Sequence, residues 1–458
     1  MPETHFTNTS PRLGAARPLG RALPALGGGS ARMHAPGQST EALLSNVLLQ
    51  LIVMISAARI GNQILRRFGQ PGVNGEIIAG LLLGPSLFGH FFPAASLALF
   101  GAKSSVPITV ISQIGLVLLM FQIGADFEFK HMTLPRNRRA ALGIAAASIC
   151  VPFALGLGLG MLSARQLAPQ IDPLVYSLFL GVGMAITAVP ILGRILREFD
   201  LTDKKIGVVA ISAAAVNDVI GWVLLAGIAA YASARFSAAA VGLQVGGIVL
   251  LGVIAWFGLG RLTSWLLRRM PVEGGQLPPN LMTVVICLIF TVGICTYRLG
   301  IFTIFGGFLT GLLFHHDRGF VDAWRAQVGK FVLVFFLPVF FTYTGLRTNV
   351  LGLTSTADWI WLAVVLVAAI LGKLIPVYLA SRASGFNRLE AAILGSLMNT
   401  RALMELIVLN IGFDLGFLPQ KVFTMMVVMA VVTTVITGPL LRWLLPKAGY
   451  AVPVGIEA

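Results

Sequence analysis

Three observations predict an all-α polytopic membrane protein of thirteen transmembrane helices. Hydrophobic residues make up 57% of the 458 and charged residues only 11%, with a mean hydropathy of +0.87; that balance belongs to membrane spans rather than to a soluble domain. The apolar residues gather into runs long enough to cross a hydrocarbon core about 30 Å thick. Gly, Pro and charge clusters separate those runs.

Residues 1–40, rich in Gly, Pro, Ser and Arg and without apolar periodicity, read as a disordered tail. It is too long and too polar for the usual layout of a cleavable signal. Thirteen spans follow at about 42–65, 73–90, 106–125, 140–162, 174–196, 205–231, 241–267, 280–298, 300–315, 328–346, 358–381, 390–412 and 420–444. The membrane domain therefore covers 41–445, and 446–458 form a short tail.

The net charge of +15 would suggest a nucleic-acid partner in a soluble protein. Here the basic residues lie in short loops between apolar runs, so they set topology, and no nucleic acid is expected. The loops after odd-numbered spans, with the C-terminal tail, hold twenty Lys and Arg, and the loops after even-numbered spans hold six. That places the odd loops and the C-terminus in the cytoplasm and the N-terminus outside, across an inner or plasma membrane. Arg12, Arg17, Arg21 and Arg32 of the tail pull the other way. The three cysteines, Cys150, Cys287 and Cys295, lie inside apolar runs and form no disulfide or metal pattern.

The chain also resembles itself. GEIIAGLLLG at 75–84 echoes GGFLTGLLFH at 306–315, and LLMFQIGADF in span 3 echoes FFTYTGLRTN in span 10, so spans 1–6 correspond to spans 8–13. An offset of seven spans is odd, so the second copy enters from the opposite side. An inverted-topology repeat follows, the device by which secondary transporters build a midplane site with alternating access. Span 5 carries AITAVPIL at 185–192, where Pro190 removes a backbone donor; its counterpart, span 12, carries SLMNTRALMEL at 396–406. Interruptions at matching places in two halves predict discontinuous crossing helices around a binding site. Thr187, Asn399 and Thr400 lie at those breaks.

The chemistry centres on 204–231, an apolar run with Asn217 and Asp218 at its middle. A charge at bilayer depth costs at least about 2.5 kcal/mol, so an intramembrane Asp marks a functional site unless it is paired for structure. A midplane carboxylate can hold a dehydrated monovalent cation or a proton, and holding both is unfavourable. That exclusivity is antiport. Asn217 adds amide oxygen and donors without charge. Lys373, inside span 11, either competes with the cation for Asp218, holds the empty site together, or snorkels to the surface. Arg401 and Glu405, four apart on one helix, can neutralise each other. Glu76 near the cytoplasmic start of span 2 either lines an entry funnel or caps the helix. His315 and His316, ending span 9, are pH sensors or a solvated pair. No dinucleotide or Walker loop, HExxH or nucleophile elbow is present, so an ATP-driven pump, a protease and an organic cofactor are not expected.

GEIIAGLLLGPSLFG (75–89), AITAVPILGRIL (185–196), SAAAVNDVIGWVLLA (212–226) and MNTRALMELIVLNIG (398–412) closely resemble the cation:proton antiporter-2 family, nearest its plant and fungal cation/proton exchanger branch. The resemblance covers about 42–445. It implies a thirteen-helix sodium/proton antiporter-like fold in which the core spans, 140–231 and 358–444, move against a scaffold of spans at 42–125 and 241–346 that usually forms a homodimer. It further implies that Asp218 is the cation and proton carboxylate, Asn217 its partner, Lys373 the basic residue of the core helix, and Thr187 and Asn399 part of the crossing. The expected function is exchange of potassium or sodium for protons. Rival expectations on the same architecture are a channel-like potassium efflux protein and a sodium-coupled solute symporter.

Overall fold

The computed structural model describes residues 40–70, 72–126, 135–202, 204–233, 246–247, 250–299, 302–401 and 403–450. The tail expectations for 1–39 and 451–458, and the start of the span expected at 241, lie outside these residues. Among the described residues the chain is helical, and its one extended pairing is the isolated bridge between Glu273 and Gln276. The principal helices are α1 (Thr40–Arg67), α2 (Gly72–Leu83), α3 (Ala102–Ala125), α4 (Pro135–Leu167), α5 (Pro173–Ala185), α6 (Val189–Glu198), α7 (Lys205–Ser233), α8 (Gly260–Arg269), α9 (Pro279–Arg298), α10 (Thr303–Phe314), α11 (Leu337–Leu346), α12 (Thr356–Ala383), α13 (Arg388–Met398), α14 (Leu403–Asp414) and α15 (Gln420–Lys447).

Among the described residues eleven stretches are long and apolar enough to cross a membrane, and α5 and α10 are shorter apolar helices. The difference from thirteen full spans has a cause in each case. At 13 residues α5 ends where the chain unwinds at 186–188, and α6 continues the same span beyond the break. At 12 residues α10 reaches only about 18 Å at the helical rise. Gly306, Gly307, Phe308, Thr310 and Gly311 are buried along it.

Local sequence explains where the helices start. Pro173 opens α5, and the Asp172 carboxylate accepts from the N–H groups of Leu174 at 3.0 Å and Val175 at 2.9 Å. Ser355 with Asp358, and Asn387 with Glu390, form reciprocal capping boxes on α12 and α13. Gly385, at φ 87°, turns the chain between them.

By contact the helices sort into two groups. In one, α1, α2, α3, α9, α10 and α11 pack together; in the other, α4, α5, α6, α7, α12, α13, α14 and α15 do. Within the first group the same close approach occurs twice. A Cβ at Gly80 would run into the Thr342 carbonyl oxygen and one at Gly345 into that of Ile77, joining α2 to α11. A Cβ at Gly124 would likewise meet the Phe308 carbonyl and one at Gly311 that of Phe121, joining α3 to α10. Backbone-to-backbone contact of this kind requires the smallest residue.

Polar ties at both ends and an aromatic pair between them join the groups. Arg347, after α11, donates to Asn410 Oδ1 at 3.0 Å and to Asp414 on α14, and lies 4.6 Å from the Phe413 ring. At the other end Arg442 of α15 donates to Gly69 O at 3.2 Å. Trp222 of α7, one turn beyond Asp218, stacks on Phe308 of α10 with ring centroids 6.4 Å apart.

Candidate functional site

Two helices unwind inside the second group, and their unwound segments touch. The first break is 186–188, between α5 and α6; the second begins at Asn399, between α13 and α14. Ala188 N–H donates to Thr400 O at 3.3 Å, and Thr187 Oγ1 donates to Met398 O at 3.2 Å. The first break lies before the proline: Val189 opens α6, with Pro190 in its first turn, where a missing N–H loses no intrahelical bond. The second break has no proline. There the Arg401 N–H bonds Thr434 Oγ1 at 3.1 Å instead of a helical carbonyl.

The broken ends are matched by charge. The last carbonyls of α5 face positive or donor groups: Arg401 Nη1 reaches Gly183 O at 3.1 Å, Asn217 Nδ2 reaches Ala185 O at 3.4 Å, and Lys373 Nζ reaches Ile186 O at 3.0 Å. Lys373 also donates to Thr187 Oγ1. At the start of α6 the Val189 N–H is directed at the Asp218 carboxylate, outside strict hydrogen-bond geometry. Cations at a helix C-terminus and an anion at an N-terminus are the stabilising arrangement, and in a buried setting they also satisfy groups that water cannot reach.

Asp218 is 2% exposed, and neither carboxylate oxygen has a hydrogen-bond partner. No Lys or Arg nitrogen among the described residues forms an ion pair with it; Lys373 acts on it only through its field. Next to it, Asn217 is fully buried. Its Nδ2 donates to Ser148 Oγ at 2.8 Å and Thr187 Oγ1 at 3.3 Å, while Oδ1 is unpartnered. Asn399 Oδ1 is buried and unpartnered as well. Thr400 turns its hydroxyl back to Leu397 O at 2.9 Å and contributes its backbone carbonyl to the crossing. Around Asp218 the unpartnered atoms are oxygens of carboxylate and amide type, the hard ligands that suit an alkali cation; at the second break Arg401 Nε and both Glu405 oxygens are also without hydrogen bonds. Among the described residues no cluster of His, Cys, Asp and Glu suits a divalent or transition metal.

The remaining candidates fall elsewhere or take defined roles. Lys373 is fully buried and does not snorkel. Arg401 and Glu405 pair at 3.6 Å with both side chains buried, but they do not share a helix: Arg401 lies in the unwound crossing and Glu405 in the first turn of α14. Glu76 does not cap α2. It is 4% exposed and accepts from Asn62 Nδ2 of α1 at 2.5 Å, within electrostatic reach of Arg59, Arg66 and Arg194. It sits in the other helix group, away from the crossing. His315 bonds Leu312 O through Nδ1 at 2.6 Å, at the end of α10. Ser148 and Thr434 belong to the site and carried no signal in the sequence. Each is a hydroxyl inside an apolar run, where such residues usually bond their own helix.

Residues 51–447 match the sodium/hydrogen exchanger transmembrane family, and the chain belongs to it. The Na(+)/H(+) antiporter NhaS4 of Synechocystis is 36% identical over 406 residues, 88% of this chain and 98% of that protein. Cation/H(+) antiporter 18 of Arabidopsis thaliana is 36% identical over 396 residues, 86% of this chain but 48% of its own length, so the chain spans about half of that plant relative. In fold it resembles the sodium proton antiporter MjNhaP1 of Methanocaldococcus jannaschii, with a TM-score of 0.57 at 13% identity over 88% of this chain and 97% of that one. These relatives are transporters, not enzymes.

Proposed function

We propose that this chain is a secondary antiporter that exchanges a monovalent cation, potassium or sodium, for protons by alternating access, with Asp218 binding cation and proton in competition. Asp218 carries the proposal. A buried carboxylate with two unpartnered oxygens and no ion-pair partner among the described residues, at the start of a half-helix and beside an unpartnered amide oxygen, has the donors of a cation site rather than of a packed ion pair. Lys373 and Thr187 hold the unwound backbone open around it, and Asn217 and Asn399 supply neutral oxygens. The names of the two sequence relatives, a sodium/proton and a cation/proton antiporter, agree with this chemistry.

The helices around the crossing would move as a core against the group built on the two glycine contacts. Those contacts join α2 to α11 and α3 to α10, the pairs that exchange when the halves of an inverted repeat are swapped, which supports that repeat. The charge pattern favours an outside N-terminus and a cytoplasmic C-terminus in a cell membrane, with the first, non-crossing group as the homodimer surface.

The test is proteoliposomes with an internal pH dye and clamped membrane potential, given potassium, sodium, lithium and rubidium in turn. A dye response that ranks the cations, and an apparent cation KM that rises as pH falls, is expected. Flux that survives collapse of the pH gradient would point instead to a channel. Solute uptake that requires sodium and ignores pH would point to a symporter.

A further inference from the structure

Asn217 can serve a cation only if its amide oxygen, not its NH2, faces the ligand. The hydrogen-bond directions around it fix which end goes where. Ala185 O, 3.4 Å from Nδ2, can only accept. Thr187 Oγ1, at 3.3 Å, has given its own proton to Met398 O and must accept. Ser148 Oγ, at 2.8 Å the shortest of the three, gives its proton to Ala145 O at 3.2 Å and must accept too. Three acceptors therefore surround one NH2, and the opposite end of the amide, Oδ1, is left buried and unpartnered. An inverted amide would set its oxygen against Ala185 O, a repulsive contact. Neutral amides carry no charge to orient them, so only such neighbours decide the choice.

Ser148 comes from α4, outside both unwound segments, and is itself fully buried. The other two acceptors belong to the first crossing, around Lys373. We infer that Ser148 is a positioning residue for cation binding: it holds the Asn217 amide with its oxygen toward the cation at Asp218. This rests on the antiport reading of Asp218. Ser148 does not touch the cation, so its loss weakens affinity more than turnover. The carboxylate that carries the proton is left in place.

The experiment compares Ser148→Ala, Ser148→Thr and Ser148→Val with the parent protein in the same proteoliposomes, each checked for thermal unfolding in detergent. Thr and Val have the same shape and differ in the hydroxyl. Expected is an apparent cation KM raised about 3- to 10-fold in Ala and Val, the loss appropriate to one hydrogen bond, with maximal rate within about twofold. Thr should restore the parent KM. Equal KM values in Thr and Val would overturn the inference. So would a fall in maximal rate and melting temperature with KM unchanged, because that is what a packing role predicts. If Val and Thr both fail to fold, Ala decides alone: a KM that stays at the parent value sinks the inference. An absence of cation-dependent exchange in the parent protein would instead sink the antiport reading itself.

Discussion

The two unwound crossings are built alike and finished differently. Each has a preceding half-helix whose carbonyls are capped and a following half-helix whose N-terminus faces a carboxylate. At the first crossing that carboxylate, Asp218, arrives from α7 and among the described residues has no countercharge within ion-pair distance. At the second it is Glu405 from the first turn of α14 itself, and Arg401 lies 3.6 Å away. Arg401 serves both crossings at once, because its Nη1 also caps Gly183 of α5. Neither carboxylate makes a hydrogen bond; Glu405 has a countercharge at ion-pair distance and Asp218 does not. Both lie in the same low-dielectric interior, so the difference is one of countercharge and not of burial: a carboxylate with a countercharge is neutralised in place, and one without is open to a cation.

Four substitutions test that contrast. Asp218→Asn should reduce exchange to background while leaving the melting temperature near the parent value, since the carboxylate makes no strict hydrogen bond to lose. Near-normal exchange by this variant would end the assignment. Glu405→Gln should do the reverse. Removing one partner of a buried pair costs about 3–5 kcal/mol, read as a lowered melting temperature, with exchange per folded molecule within a few-fold of normal. A stable Glu405→Gln protein without exchange would place Glu405 on the ion path and erase the distinction.

A smaller effect is expected of Thr187→Val, which removes the hydroxyl shared by Lys373, Asn217 and Met398. The loss of one buried hydroxyl is worth about 1–3 kcal/mol and should appear in both melting temperature and cation KM; a change in neither would show the hub to be dispensable. The smallest is Pro190→Ala. The second crossing unwinds without a proline, so the first should as well, and exchange is expected to stay within about threefold of normal. Collapse of activity in this variant would show that the proline itself holds the first crossing open.

Much of the site was legible in the chain. Asp218, Asn217 and Lys373 stood out because a polar or charged group in an apolar run of span length needs a reason, and that rule needs no coordinates. Pro190 announced the first break. The second was visible only as the polar run Asn399, Thr400, Arg401, and it was placed by its correspondence with the first. The spacing of four predicts one helix for Arg401 and Glu405, and the structure separates them, because that spacing reads the same whether or not the intervening backbone is wound. Glu76 reads from the sequence as an entry-funnel or capping residue, yet it accepts from Asn62 in the other helix group.

The sequence by itself determined that this protein is a bundle of membrane helices, where its intramembrane charges fall, and which two helices are interrupted. Those follow from local hydropathy, charge and backbone chemistry, quantities carried by each stretch independently of the rest. Only the tertiary structure decided which buried carboxylate has a countercharge, that Lys373 caps a half-helix instead of pairing with Asp218, and that Ser148 and Thr434 join the crossing. A hydrogen bond joins atoms whose separation along the chain says nothing of their distance. Ser148 and Asn217 are 69 residues apart, and Arg401 and Gly183 are 218.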